Sequence, residues 1–365
     1  MKFRLFMIIA FLLVSINIAT AADDKLAPWP IVKRCLPTPI VPDKNWSYDG
    51  EIMMSGWAGI HAIHAGSPTP GVIHWGYGLL SPDGQWVLSQ KVDSYTEQLT
   101  GGGPMGRYID DYSDIIVENL KTQKKIKFAW QAHIEISSSP YPFGPAGPLW
   151  LDNDRFLSFY GAYGKATKEA NIKTEEIIDL PAIDLDDNEY SISPDLTRAI
   201  SYAQLYDLTD NKLVSEEKVG TVNDFQSSVW TNESSMFIDR VQGTNNTSTL
   251  TIFNRDGMVI SKPFVNQDQR IVLGQFSPEN NYFSFTEYSQ RTYKNHPYVL
   301  DMTKYIVYDL CADDAQGLAW SPDGTQFATI LGQGQRPIVV VDMDDWQPRI
   351  IGYHTGSVLL WRSLP

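Results

Sequence analysis

Apolar runs along the chain end seven times on a bulky apolar residue that enters a short polar turn, at Leu80, Trp150, Ile192, Trp230, Phe276, Trp320 and Trp361. In two copies the turn reads Ser81-Pro82-Asp83-Gly84 and Ser321-Pro322-Asp323-Gly324. Proline presets φ for the first central position, aspartate supplies a side-chain acceptor and glycine tolerates positive φ. A second apolar residue follows the turns, at Val87, Leu157, Ala199, Phe237, Phe283 and Phe327, within alternating runs such as Phe327-Ala328-Thr329-Ile330. The tetrad is therefore expected to join two antiparallel strands by a tight hairpin. The weaker copies keep polar turn residues, as in Ser193-Pro194-Asp195-Leu196 and Ser277-Pro278-Glu279-Asn280. Third runs end in acidic turns, as in Ile338-Val339-Val340-Val341-Asp342, and fourth runs follow, such as Arg349-Ile350-Ile351-Gly352-Tyr353.

Four strands per repeat, recurring mostly at about forty residues, make one blade of a β-propeller. The two ends of the chain sharpen this reading. Ser357 to Trp361 is a first strand with no second, third or fourth after it, while Glu51 to Ser55, Gly59 to His64 and Gly71 to Trp75 are strand-like runs with no anchor before them. Together they predict one mixed blade that closes the ring without an open sheet edge. The expectation is an all-β protein with a single propeller of seven four-stranded blades. The long step from Leu80 to Trp150 is filled with loops in this reading, with an irregular strand pair as the alternative, and a count of six or eight blades stays open. Gly 26, Pro 22 and 12% aromatic residues suit many short strands and turns.

Residues 1–21 read as a signal peptide: Lys2 and Arg4 precede the apolar run from Leu5 to Ile18, and Ala19-Thr20-Ala21 places small residues where a signal peptidase reads. Residues 22–48 are expected to be an extended segment and residues 49–365 the propeller. An exported chain, periplasmic or extracellular, is implied. The net charge of -14 disfavours nucleic acid as a partner, and no later segment is apolar enough for membrane insertion. Two cysteines in an oxidising compartment allow one bridge, Cys35 to Cys311, with two unpaired thiols as the alternative.

The Trp-Ser-Pro-Asp-Gly turn from Trp320 to Gly324, with its weaker relatives elsewhere, resembles the WD-repeat-like propeller repeats of the TolB type found in exported bacterial proteins. The resemblance implies the propeller fold. It leaves function open among protein-binding platforms, ligand-binding rings and gating modules.

Signals of catalysis are sparse. There is no Gly-x-Ser-x-Gly elbow, and the adjacent Asp83-Gly84 and Asp323-Gly324 do not match a sialidase Asp box. Strand alternation points His61 and His64 to opposite faces, so no metal is expected there, and no cofactor is expected elsewhere. In a propeller the loops from second to third strands share one end of the ring with those leading to the next blade, and the Ser-Pro-Asp-Gly hairpins occupy the other. The longer insertions, Ser94 to Tyr112, Tyr163 to Lys173, Gln242 to Ser248, Gln290 to Pro297 and Gly332 to Arg336, fall on the first end. Arg107, Tyr108, Tyr112, Tyr163, Arg291, Tyr293, His296 and Arg336 are the recognition candidates there, since aromatic residues and arginine dominate binding hot spots. The expected function is an exported scaffold that binds a protein, a small molecule or a glycan at that end. The alternative is an enzyme of lyase or lactone hydrolase type, with its site at the mouth of the central channel.

Overall fold

The computed structural model describes residues 27–36, 48–56, 59–65, 67–76, 78–98, 107–136, 149–159, 167–179, 190–201, 204–210, 212–215, 228–242, 247–267, 269–332 and 336–364. These residues form seven sheets and no helix. The first blade runs from Leu79 to Ile136, the second from Leu149 to Asp179, the third from Tyr190 to Ser215 and the fourth from Ser228 to Gln267. The fifth runs from Arg270 to Asp309 and the sixth from Ala315 to His354. The seventh joins Ser357–Arg362 to Glu51–Gly56, Gly59–His64 and Ser67–Trp75.

Strand alternation gives every blade two apolar faces, and each face meets a neighbour. Leu88 and Ile115 of the first blade pack on Phe156 of the second, and Leu157, next in the chain, packs on Ile192 and Ala199 of the third. Ile200 and Leu205 meet Trp230 and Phe237, Ile238 and Leu250 meet Phe283 and Phe285, and Val299 and Leu310 meet Trp320 and Phe327. Ile52 and Met54 of the seventh blade face Ala328 and Ile338 of the sixth, whereas Met53 between them packs on Val87 of the first. That last seam closes the ring. The closing blade pairs Ile52 with Trp361 and Met54 with Val358, and Trp361 donates its indole N–H to the Asp49 carbonyl at 2.8 Å.

The hairpin tetrads owe their shape to a buried hydroxyl. Ser81, Ser193, Ser277 and Ser321 are almost fully buried, and each Oγ accepts the N–H five residues on, from Trp86, Arg198, Tyr282 and Gln326 at 2.9–3.0 Å. Ser81 and Ser321 also donate to the aspartate two residues later, both at 2.6 Å. The fourth position adopts a left-handed φ, 65° at Gly84 and 70° at Gly324, and Leu196, Ser234 and Asn280 hold it at 57–59° in the weaker copies. The serine bonds and the strand pairing outweigh the local cost of left-handed backbone at a residue with a Cβ.

Two features differ from the sequence expectation. The insertion expected as a loop from Ser94 to Tyr112 is part of a ladder: Trp86–Gln98, Arg107–Asn119 and Lys125–Ile136 pair along their length, with Gln98 opposite Arg107. Its tip is rich in β-formers such as Tyr95, Thr96, Tyr108 and Ile109, so pairing continues beyond the blade. The second feature is a clasp made by the segment before the propeller. Ile31–Lys33 adds to the fifth blade as a parallel fifth strand along Val307 to Asp309. Trp29 is buried and donates to Ser261 Oγ of the fourth blade at 2.8 Å. The Arg34 guanidinium lies over the rings of Tyr308 and of Trp346 in the sixth. Cys35 is disulfide-bonded to Cys311, with their Cα atoms 4.6 Å apart. The clasp thus ties three consecutive blades together.

One polar row interrupts the seam between the third and fourth blades. Asp239 is fully buried beside its cross-strand neighbours Ser228 and Thr251. Ser228 Oγ donates to Asp239 Oδ2 at 3.2 Å, but Asp239 Oδ1 and Thr251 Oγ1 have no partner. Burial pushes the Asp239 carboxyl well above the usual carboxylate range, against the hydrogen bonds from the Arg240 backbone and Ser228. The folded chain therefore keeps a proton that the unfolded chain releases, so this group's contribution weakens as pH rises from about 4. Asp239→Asn removes the ionisation from both states. The variant is expected to gain about 1–3 kcal/mol at neutral pH. It should also lose part of the decline in stability between mildly acidic and alkaline solution. Urea unfolding across that range measures both, and an unchanged pH dependence would dissociate Asp239 from it.

Candidate functional site

A cavity lies at the end of the ring that bears the Ser-Pro-Asp-Gly hairpins. It holds about 380 Å³ and is lined from five blades: the first through Pro82, Asp83 and Gln85, the fourth through Asn232, the fifth through Gln275, Phe276 and Pro278, the sixth through Trp320 and Pro322, and the seventh through residues 360–363. Convergence from that many blades places it at the mouth of the central channel. The repeat builds it. Each first strand ends at the axis on its bulky anchor, and Phe276, Trp320 and Trp361 are three of those anchors, with the prolines of the following turns forming the rim.

Most polar groups at this mouth are already committed. Asp83 accepts from Ser81 at 2.6 Å and from the Gln85 backbone at 3.0 Å. The Arg362 guanidinium holds Glu51 through Nε at 2.9 Å and also donates to the Gly84 carbonyl. Trp320 donates to the Gln275 carbonyl at 3.2 Å, the Gln275 side-chain amide donates to the Leu318 carbonyl, and Asn232 Nδ2 donates to the Pro278 carbonyl at 2.9 Å. Phe276, Leu360 and the turn prolines leave apolar surface for a visitor, and the Gln85 side chain and Ser363 are exposed at the edge. The cavity presents no nucleophile with a base beside it.

The recognition candidates chosen from sequence sit at the opposite end, spread over three blades. Arg107 and Tyr108 begin a strand near the tip of the extended first-blade ladder, and Tyr112 lies further along it, opposite Val92. Arg291 and Tyr293 occupy the four-residue turn between Tyr282–Ser289 and Lys294–Asp301, and Tyr293 is 74% exposed with φ 55°. His296 belongs to the strand after that turn, and Arg336 opens the third strand of the sixth blade. Tyr163 lies outside the described residues. The described elements place the other positions on the first, fifth and sixth blades.

The structure surrounds two of them with groups that sequence reading passed over. His296 Nε2 lies 2.7 Å from Asp309 Oδ1, and its ring packs against Tyr298 at 4.9 Å. Tyr298 donates to Glu287 Oε2 at 2.8 Å, and Asn266 of the fourth blade donates to the other oxygen of the same carboxyl. Burial pushes both Glu287 and Tyr298 upward. Arg336 stands opposite His354, whose ring contacts that of His61 at 4.8 Å. Cross-strand partners from different runs of sequence carry no local signal, so Glu287, Asp309, His61 and His354 were visible only as isolated polar residues. Among the described residues no group of three His, Cys, Asp or Glu side chains is placed to hold a metal ion.

No family model matches the chain, and no curated protein matches it. Solved structures similar to it include hydrazine synthase from Kuenenia stuttgartiensis, at 12% identity over 73% of this chain and 75% of that one, with a TM-score of 0.40. TolB from Acinetobacter baumannii is similar at 11% identity over 74% and 69%, with a TM-score of 0.34. Oligogalacturonate lyase from Vibrio parahaemolyticus is similar at 12% identity over 76% and 84%, with a TM-score of 0.41. The protein is a seven-bladed β-propeller on the strength of its own sheets and seams.

Proposed function

We propose that this protein is an exported binding propeller that receives part of a protein or a small ligand at the channel mouth on the hairpin end. The observation that carries the reading is the cavity of about 380 Å³ lined by Phe276, Trp320 and Trp361 and rimmed by Pro82, Pro278 and Pro322. That volume suits a small molecule or one or two side chains of a partner. A concave surface of mixed polarity, most of whose polar groups are already bonded, favours holding a ligand over transforming one. Export is supported by the Cys35–Cys311 disulfide, since such bonds persist in oxidising compartments.

The far end of the ring is the second reading. It is favoured by Arg291 and Tyr293, which stand exposed on a tight turn. A photoreactive side chain placed at Ser363 is expected to crosslink a partner in the extracytoplasmic fraction of the host, while one placed at Arg291 does not. Capture only from position 291 transfers the binding function to the other end.

A further inference from the structure

Arg155, Arg198, Arg255, Arg349 and Arg362 each hold a carboxylate. Arg336 has no acidic partner among the described residues. Its side chain is half-buried, and its Nε–H is enclosed without any acceptor. In a chain with 43 acidic against 29 basic residues, an enclosed Nε–H without an acceptor on a partly buried guanidinium requires an explanation.

Its surroundings supply one. Arg336 shares a strand face with Ile338, which packs into the seam between the sixth and seventh blades. Its register partner on the fourth strand is His354. From the seventh blade His61 turns into the same seam, and the two imidazoles meet edge to face at 4.8 Å. His354 Nδ1 accepts the Gly356 N–H at 2.9 Å, which leaves its proton on Nε2. His61 Nε2 is buried and has no partner. Among the described residues, the neighbouring strands bring Ser55, Gly56 and Ser357 to this place. Burial, and then the nearby His61, lower the basicity of His354.

We propose that Arg336, with His354 opposite it in register and His61 against His354, forms an oxyanion-binding site at the seam between the sixth and seventh blades, on the end opposite the channel-mouth cavity. The ligand class is a carboxylate or phosphoryl group, which a guanidinium fork binds through paired N–H donors. A bound anion would favour protonation of the neighbouring imidazoles, so binding takes up a proton and strengthens as pH falls towards the histidine range.

The test uses the mature chain with inorganic phosphate and with acetate, each against chloride at equal ionic strength. Thermal unfolding should shift upward with at least one of the two anions. The imidazole resonances of His61 and His354 should move on titration, more at about pH 6 than at about pH 8. A response to phosphate alone assigns a phosphoryl ligand, and a response to acetate assigns a carboxylate. Arg336→Met is expected to weaken the apparent affinity by about tenfold or more. If that variant does not fold, the histidine titration of the unaltered protein still decides the matter. Resonances of His61 and His354 that respond no more to either anion than to chloride would overturn the site, as would full retention of binding in Arg336→Met.

Discussion

Removal of residues 356–365 should leave a chain that no longer unfolds as one cooperative unit. The deleted strand is the innermost of the seventh blade and pairs with Glu51 to Ser55 from the other end of the sequence. Without it the second strand of that blade faces the axis unpaired, and the apolar seam it shares with Ala319 and Ala328 of the sixth blade loses Val358 and Trp361. Trp361 is 3% exposed, and its indole satisfies the Asp49 carbonyl. Replacing that single side chain by alanine should cost about 3–5 kcal/mol through the cavity left behind. The truncation also removes the ladder bonds and the ion pair from Arg362 to Glu51, and so approaches the whole stability of a typical domain, about 5–15 kcal/mol. Urea unfolding followed by near-ultraviolet circular dichroism measures both variants. A truncated protein with an unaltered midpoint would mean that the ring does not close through this strand.

Reduction of the Cys35–Cys311 bond is the other large effect. The cysteines are 276 residues apart, so the bond constrains nearly the whole unfolded chain, and loop-closure entropy assigns it on the order of 5 kcal/mol. The folded state should keep its shape after reduction, because Trp29, the parallel strand from Ile31 to Lys33 and the Arg34 ring contacts still hold the segment. The expected result is a lower guanidinium midpoint with reductant, reproduced by Cys35→Ser and unaccompanied by loss of the β-sheet spectrum. Protein recovered from its host should show no free thiol when denatured without reductant. Two titratable thiols, or a midpoint indifferent to reductant, would contradict the bond.

Sequence legibility tracked how local each interaction is. The hairpin tetrads were readable because turn chemistry is written in consecutive residues, and the leftover strand after Gly356 was readable because four strands per blade is a strict count. The extended ladder from Trp86 to Ile136 was less so. Its alternation weakens near Ser94 and Asp110, where polar residues follow one another in the sequence, and polar runs look like loops until a partner strand is seen. The channel-mouth cavity was not legible at all, although its ring-bearing residues were already picked out as anchors. Their role in the repeat is visible locally, but their convergence on one axis is a property of the closed ring.

By itself the sequence determined the repeat, the hairpin that defines it and the need to join both termini in one blade, since these follow from periodicity and from the cost of an exposed sheet edge. Only the tertiary structure decided that the segment around Trp29 clasps three blades, that the Arg336 Nε–H is enclosed without an acceptor opposite His354 and that Asp239 is buried without a full set of partners. Each of these depends on residues far apart in the chain meeting across a seam between blades, and the energy of such a meeting is set by what arrives from the other side.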